Sequence, residues 1–184
     1  MNIKKIMTSG NKKWKEESRE EVFKKYGRAI DKVIYTLPDG SQNDFYIKRE
    51  TNSVGIFALT EDNQIILVQQ YRPGPDEIII DVPCGYIDHD ELPEHAAARE
   101  LLEETGYEGK ISFVTATFVD AYSTIRRHCF VATNCVKKEE PKLDKTEFIE
   151  VVFMTIPEYR THLKKGTSTY SPAGYLGLDH LGLL

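Results

Sequence analysis

Residues 85–107 read GYIDHDELPEHAAARELLEETGY, and this stretch decides the fold prediction. Pro93 suits the first turn of a helix, and the acidic residues on either side of it favour the positive end of the helix dipole. Gly106 is placed to end the helix in a left-handed conformation. We therefore predict a helix over residues 92–105 with a loop before and after it.

Three carboxylates lie on one side of this helix. Glu100, Glu103 and Glu104 occur at positions i, i+3 and i+4, so their side chains project within a narrow arc. Their repulsion costs about 0.2–0.5 kcal/mol per pair unless a cation offsets it. Oxygen ligands select a hard cation, with Mg²⁺ or Mn²⁺ the natural choices. Arg99, one turn before Glu103, can hold that carboxylate. The alternative interpretation is a solvated charged face.

The spacing of the residues favours the metal site. From Gly85 the chain follows the pattern G-x5-E-x7-R-E-L-x-E-E-x-G-Y. Seven of its nine fixed positions alone would match at one start by chance on the order of once in 10⁸ to 10⁹. The pattern resembles the Nudix box of the Nudix hydrolases. Tyr107 departs from it, because the pattern prefers an aliphatic residue there, although a packing position tolerates the change.

The resemblance implies a fold, a cofactor and a set of ligands. The fold is α/β, a Nudix-type α/β/α sandwich with a mixed sheet, and the cofactor is Mg²⁺ or Mn²⁺, which activates water against a diphosphate. The implied metal ligands are the carboxylates of Glu100, Glu103 and Glu104 and the main-chain carbonyl of Cys84. Glu103, Glu104 and Arg99 are implied to act in catalysis, and Arg99 and Glu91 to orient the carboxylates.

Three further segments narrow the resemblance to one branch of the family. The sequences QYRP at 70–73, DVPCG at 81–85 and EFIEV at 147–151 are similar to segments of ADP-ribose and nucleotide-sugar pyrophosphatases. This similarity implies hydrolysis of nucleoside diphosphate sugars, with ADP-ribose, cleaved to AMP and ribose 5-phosphate, as the best single substrate. It also implies that Arg72 and Asp81 bind substrate. A surface arginine that fixes its loop is an equal alternative for Arg72.

A further acid is expected outside the box. In the ADP-ribose hydrolases a loop glutamate follows the box, but Ile125 stands at that point in this chain. We therefore predict that Glu147, at the start of an apolar strand, is the general base or a further metal ligand. Glu150 and Asp120 are the alternatives.

The remaining chain predicts an N-terminal region followed by the main domain. We expect a loosely held polar arm at residues 1–20 and a β-hairpin of strands 29–36 and 45–48, so that residues 1–50 precede a Nudix domain at 51–184. A lone hairpin is marginal in water, which favours a homodimer through this region. Other predicted strands are 54–59, 64–70, 78–82, 111–119, 128–132 and 148–154, with a second helix at 157–165.

Composition excludes several functional classes. The chain of 184 residues carries 24 Lys and Arg against 29 Asp and Glu, a net charge of −5, which argues against nucleic acid as a partner. Three cysteines without pairing motifs and no apolar span of about 20 residues favour a cytoplasmic protein without a membrane contact. Other substrates that stay open are GDP-sugars, NADH and dinucleoside polyphosphates. The alternative from another class is a non-catalytic domain that senses nucleotides.

Overall fold

The protein is described by a computed structural model that covers residues 12–184 and forms two compact units. The first unit contains residues 12–51 together with Phe118–Ile125, and the second contains Asn52–Thr117 and Arg126–Leu184. The predicted domain boundary at residue 50 stays a prediction. The two compact units differ from the predicted domains because Phe118–Ile125 belongs to the first unit.

The first unit is built on a three-stranded antiparallel sheet. Its strands are β1 (Lys15–Lys25), β2 (Arg28–Thr36) and β3 (Gln42–Arg49), in that spatial order. The predicted hairpin is therefore present as β2 and β3, and the main-chain N–H of Gly40 donates to the carbonyl of Leu37 within its turn. Lys48 of β3 also pairs through its main chain with Tyr122 and Thr124.

The expectation of a loosely held arm is wrong for residues 15–20, which begin β1. All residues of β1 are exposed, so the strand lacks the apolar alternation that predicts strands from sequence. Main-chain pairing connects it to β2, and an ion pair supports this contact: Arg19 donates to Asp31 at 2.9 Å. Residues 1–11 of the predicted arm lie outside the described residues.

The second unit contains a seven-stranded mixed sheet. Its strands are β4 (Ser53–Thr60), β5 (Gln64–Arg72), β6 (Glu77–Asp81), β7 (Cys84–Tyr86), β8 (Tyr107–Phe118), β9 (Arg126–Lys137) and β10 (Glu150–Thr155). The main order is β10-β5-β4-β9-β8, with β6 paired to β5 and β7 paired to β4. The sheet is mixed because β4 runs parallel to β9 and antiparallel to β5.

Three helices cover the two faces of this sheet: α1 (Pro93–Thr105), α2 (Ile156–Leu163) and α3 (Ser171–His180). Successive residues of β4 point to opposite faces. Ile56 accordingly packs in a core with Ala97 of α1, whereas Phe57 packs in a second core with residues of α2 and α3. This arrangement is the predicted α/β/α sandwich. The helix α3 is an element that the sequence did not predict.

The site is positioned by the short strand β7 and the helix α1, which follow each other along the chain. Pairing of β7 with β4 fixes Cys84 and Gly85 at the sheet. The apolar side of α1, which includes Ala96, Ala97 and Leu101, is buried against the same sheet. The opposite, acidic side of α1 is therefore left to face a cavity. Within residues 12–184, no helix is long and apolar enough to cross a membrane.

Candidate active site

The helix α1 begins and ends close to the predicted residues. Leu92 is its N-cap, Pro93 occupies the first turn, and Gly106 ends it with a φ of 74°. Its three predicted ligands differ in environment: the side chain of Glu103 is 45% exposed and that of Glu100 only 14%. Glu104 is buried. The three carboxylates thus reach from solvent into the protein interior along one side of the helix.

Arg99 organises the carboxylates around it. Its Nε and Nη2 donate to the two oxygens of Glu91 at 2.9 and 2.8 Å. Its Nη1 donates to Glu100 at 2.9 Å and to Glu103 at 3.1 Å. A further bond runs from Nη2 to the carbonyl oxygen of Tyr86 at 3.0 Å. Arg99 therefore contacts all three of these glutamates, and its orienting role stays a prediction. The hydrogen bond that Arg99 donates lowers the pKa of Glu91.

Glu104 links the last turn of the helix to the start of strand β7. Its Oε2 accepts a 2.8 Å hydrogen bond from the main-chain N–H of Cys84, and the residue is 4% exposed. Burial raises the pKa of the Glu104 carboxyl to about 8, and the negative charges of Glu100 and Glu147 act in the same direction. A nearby cation would stabilise the ionised form of this buried carboxyl. Such an environment is expected of a metal ligand.

Gly85 is required by the position of Glu100. A Cβ atom at residue 85 would overlap the carboxylate of Glu100. Burial raises the pKa of Glu100, and the hydrogen bond from Arg99 opposes this effect. The carboxylate of Glu100 thus occupies the space that is open because Gly85, the first residue of the box, has no side chain.

A small polar cavity lies along the acidic side of α1. Its volume is about 110 Å³, and its described lining residues are Arg99, Glu100, Glu103, Glu104, Lys142, Asp144 and Glu147. The structure therefore brings Glu147 together with the three acids of the box. Lys142 and Asp144 also line the cavity and were not singled out from the sequence, because no motif marks the loop that carries them.

The other predicted residues lie in different environments. Arg72 donates from Nη2 to Sγ of Cys84 at 3.6 Å, and its charge lowers the pKa of Glu104.

Asp81 is buried, and its oxygens accept hydrogen bonds from Ser168 Oγ, Thr169 N, Thr169 Oγ1 and Tyr170 N. The structure therefore gives Asp81 a structural task, and its role in substrate binding stays a prediction. Among the alternative acids, Asp120 pairs with Lys48 and Glu150 pairs through its backbone with Gln69.

The donor set fits a divalent cation in chemistry. Carboxylates are the ligands that Mg²⁺ and Mn²⁺ prefer, and a cation would offset the cost of ionising the Glu104 carboxyl, whose pKa is raised by burial. Within residues 12–184, however, no three His, Cys, Asp or Glu side chains converge closely enough to hold an ion as placed. Arg99 occupies Glu100 and Glu103 in this arrangement. A bound cation would share these two carboxylates with Arg99 and take Glu104 as a further ligand.

The fold and the carboxylate cavity define a hydrolase of the Nudix type. The NUDIX domain model matches residues 49–173, which is more than half of the chain. The chain therefore belongs to the NUDIX domain family, and the family predicted from the box is confirmed.

Three curated proteins are similar to most of this chain. An ADP-ribose pyrophosphatase of Bacillus subtilis is 32% identical over 77% of this chain and 78% of its own length. A methanol dehydrogenase activator of Bacillus methanolicus is 35% identical over 79% of this chain and 80% of its own length. An ADP-ribose pyrophosphatase of Saccharomyces cerevisiae is 30% identical over 74% of this chain and 67% of its own length.

A solved structure supports the fold. The crystal structure of an ADP compounds hydrolase superposes with a TM-score of 0.77 at 20% identity and covers 94% of this chain and 98% of its own. At that identity the likeness concerns the fold alone. The predicted α/β/α sandwich is confirmed.

Proposed function

We propose that this chain is a divalent-metal-dependent hydrolase of nucleoside diphosphate sugars, with ADP-ribose as the best single substrate. The observation that carries the proposal is the cavity in which Glu147 faces the three acids of the box, Glu100, Glu103 and Glu104. The names of the relatives from Bacillus subtilis and Saccharomyces cerevisiae support the choice of substrate. Mg²⁺ is the proposed cation, with Mn²⁺ as the alternative.

The proposed reaction is the cleavage of one P–O bond of a diphosphate by water. The water oxygen bonds to one phosphorus, the bond from that phosphorus to the bridging oxygen breaks, and two phosphomonoesters leave. A bound cation would neutralise phosphoryl oxygens and acidify the water. Glu147 accepts the proton of the attacking water, Arg99 holds Glu100 and Glu103 in place, and Arg72 contacts the phosphates of the substrate.

A substrate panel tests this proposal. ADP-ribose, GDP-mannose, NADH, a dinucleoside polyphosphate and a nucleoside triphosphate are each incubated with Mg²⁺ or Mn²⁺, and the released phosphomonoester is measured. We expect ADP-ribose to give the highest kcat/KM and EDTA to abolish turnover. Binding of these nucleotides without hydrolysis of any of them would contradict the proposal and favour a nucleotide-sensing domain.

A second candidate function is supported by the relative from Bacillus methanolicus, which is named as an activator of a dehydrogenase. In that case the same cavity would act on a dinucleotide such as NADH, which also contains a pyrophosphate. The panel separates the two candidates, because the second one predicts that the dinucleotide exceeds ADP-ribose in kcat/KM.

We also infer a homodimer formed through the first unit, and a cytoplasmic location. The sheet of this unit exposes large apolar side chains, among them Phe23 and Tyr46, each 55% exposed. Phe23 lies on β1 and Tyr46 on β3, the two outer strands of the sheet, and exposed apolar side chains of this kind favour a protein contact. The hairpin is part of a three-stranded sheet and is not isolated. The inference of a homodimer therefore rests on the exposed apolar side chains of this sheet. Sedimentation of a 21.1 kDa monomer at micromolar concentration would contradict the dimer.

The inferred cytoplasmic location is supported by the cysteines. All three are free and buried, as suits a reducing compartment.

A further inference from the structure

The acidic cavity has two cationic side chains among its described lining residues, Arg99 and Lys142. Arg99 has no N–H group left for a ligand. Its five N–H groups match the five hydrogen bonds that it donates to Glu91, Glu100, Glu103 and the carbonyl of Tyr86. Any contact between a lining cation and an anionic ligand in this cavity therefore falls to Lys142.

The main chain around Lys142 is fixed to the end of the box helix. The N–H of Lys142 donates to the carbonyl of Glu103 at 2.8 Å, and the N–H of Lys138 donates to the carbonyl of Gly106 at 2.8 Å. Gly106 also permits this approach, because a Cβ atom there would overlap the carbonyl oxygen of Glu139. These contacts satisfy carbonyls that a helix end leaves open. They also hold the base of the Lys142 side chain beside Glu103.

The side chain of Lys142 is free to exchange its partner. Its Nζ pairs with Glu139 at 2.6 Å, and the Lys142 side chain is 68% exposed. An exposed pair of this kind contributes only about 0–1 kcal/mol, so an anion at the cavity can compete for the ammonium group. The base of Lys142 is thus fixed and its charged end is mobile.

We propose that Lys142 is a substrate-binding residue that holds an anionic phosphoryl oxygen of a diphosphate at this cavity. The inference rests on the proposed function and deepens it. Five carboxylates line the cavity: Glu100, Glu103, Glu104, Asp144 and Glu147. A diphosphate that approaches them meets strong repulsion, which the cation reduces and Lys142 reduces further. The ammonium group of lysine is a common partner of phosphate.

Equilibrium binding tests the proposal separately from turnover. The probe is α,β-methylene-ADP, which carries a diphosphate that resists hydrolysis, and its affinity is measured by calorimetry with Mg²⁺. Lys142→Met removes the charge, and Lys142→Arg retains it. The matched control is Lys138→Met, because Lys138 lies in the same segment and pairs with Glu108 at 2.7 Å, outside the cavity lining.

We expect Lys142→Met to bind the probe about 10-fold more weakly than wild type, which is the loss of one exposed charge-assisted hydrogen bond. Its affinity should also depend less on salt concentration. Lys142→Arg and Lys138→Met should stay within about two-fold of wild type by the same scale. The affinity for Mn²⁺ alone should not fall in Lys142→Met, because Lys142 is not a metal ligand.

Three outcomes overturn the proposal: an unchanged affinity in Lys142→Met, an equal loss in Lys138→Met, or a parallel loss of Mn²⁺ affinity, which would indicate a structural role. Failure of wild type to bind the probe overturns it as well. If wild type binds the probe but hydrolyses no member of the substrate panel, the proposed function fails while the role of Lys142 is still decided by the binding data.

Discussion

The main-chain N–H of Cys84 donates a 2.8 Å hydrogen bond to the buried carboxylate of Glu104, twenty residues further along the chain. This bond joins the start of strand β7 to the last turn of the box helix. The carbonyl of Cys84 and the carboxylate of Glu104 are both predicted metal ligands, so one contact sets the positions of two of them. Glu104 therefore has a structural role in addition to the chemical role that is proposed for it.

Loss of a ligand charge should reduce activity while the fold is kept. We expect Glu103→Gln and Glu104→Gln each to lower kcat/KM by about 10² or more, because each removes a carboxylate that binds the cation. The amide oxygen of glutamine still accepts the hydrogen bond from Cys84. Glu94→Gln, in the first turn of the same helix, serves as the control. Near wild-type turnover with unchanged Mg²⁺ dependence in either variant would disprove the metal site.

The close approach of Glu100 to Gly85 gives a second prediction. In Gly85→Ala the added methyl group overlaps the carboxylate of Glu100, which is the mobile end of a side chain and can move away. We therefore expect the thermal midpoint to change little and both Mn²⁺ affinity and turnover to fall by about 10-fold or more. Gly74→Ala is the control, since nothing lies within 4 Å of a Cβ atom there. Equal effects in both variants would contradict the prediction.

The hydrogen bonds of Asp81 predict a loss of stability upon its removal. Asp81→Ala leaves Ser168, Thr169 and Tyr170 without their acceptor in a region where Asp81 itself is 3% exposed. We expect the free energy of unfolding to fall by about 3 kcal/mol, measured by urea denaturation. Asp62→Ala, in an exposed turn, should cost about 0.5 kcal/mol. A variant that is as stable as wild type but binds substrate weakly would instead support the role in substrate binding.

A pH-dependent contribution to stability is expected from Asp31. Hydrogen bonds from Arg49 and Arg19 lower the pKa of this carboxyl. Because the pKa is lower in the folded protein, the stabilisation is complete above the unfolded pKa of about 4 and is lost as the pH falls through the folded value. Asp31→Asn should therefore be less stable than wild type at pH 7, and the difference should shrink under acid conditions.

Trp14 provides the measurement for Asp31. It is the one tryptophan of the chain and contacts Tyr35 and Phe45 of the same sheet, at ring distances of 6.0 and 5.2 Å. Its fluorescence reports the unfolding of the first unit in urea at each pH. Asp44→Asn, which loses only an exposed pair with Lys32, is the control. A difference between wild type and Asp31→Asn that grows with acidity would contradict the sign of the pKa shift.

The sequence predicted the parts of the fold that depend on local signals. The bounds of α1 followed from Pro93 and Gly106, and the buried strands β4 and β5 followed from continuous apolar runs. By contrast, α3 was missed because Gly174 and Gly177 lower its helix propensity, although both allow it to pack closely on Tyr159 and Phe57. The charged strand β1 was missed because its residues are all exposed and show no apolar alternation, although it pairs with the next strand along the chain, β2.

The sequence predicted only those residues of the candidate site that belong to a recognisable motif. Glu100, Glu103, Glu104 and Arg99 were predicted from their spacing and from the resemblance to the Nudix box. Lys142 and Asp144 did not, because they reach the cavity only through the docking of their loop on the helix end, a tertiary contact without a local signal. For Asp81 the segment pattern suggested a ligand contact, and only the structure reveals the acceptor role toward residues 168–170.

The last prediction concerns the acid that accepts the proton of water. Glu147 lines the cavity, and its carboxylate accepts a hydrogen bond from the main-chain N–H of Asp144 at 3.0 Å, while its own N–H donates to the carbonyl of Asp144 at 2.9 Å. This reciprocal contact holds the carboxylate near the box acids without neutralising it by an ion pair in the described contacts. Its charge contributes to the raised pKa of Glu104. Glu147 is thus better placed than the alternatives.

A positioned base contributes about 10² to 10⁴ in rate, so Glu147→Gln should lower kcat by that factor. Substrate affinity should be largely retained, because glutamine keeps the shape and the acceptor for Asp144. Glu150→Gln and Asp120→Asn, measured side by side as controls, should stay near wild type, since Glu150 is an exposed residue at the start of β10 and Asp120 pairs with Lys48. A loss confined to one of these two variants would transfer the role to that residue. A rise in KM without a change in kcat in Glu147→Gln would make Glu147 a binding residue rather than the base.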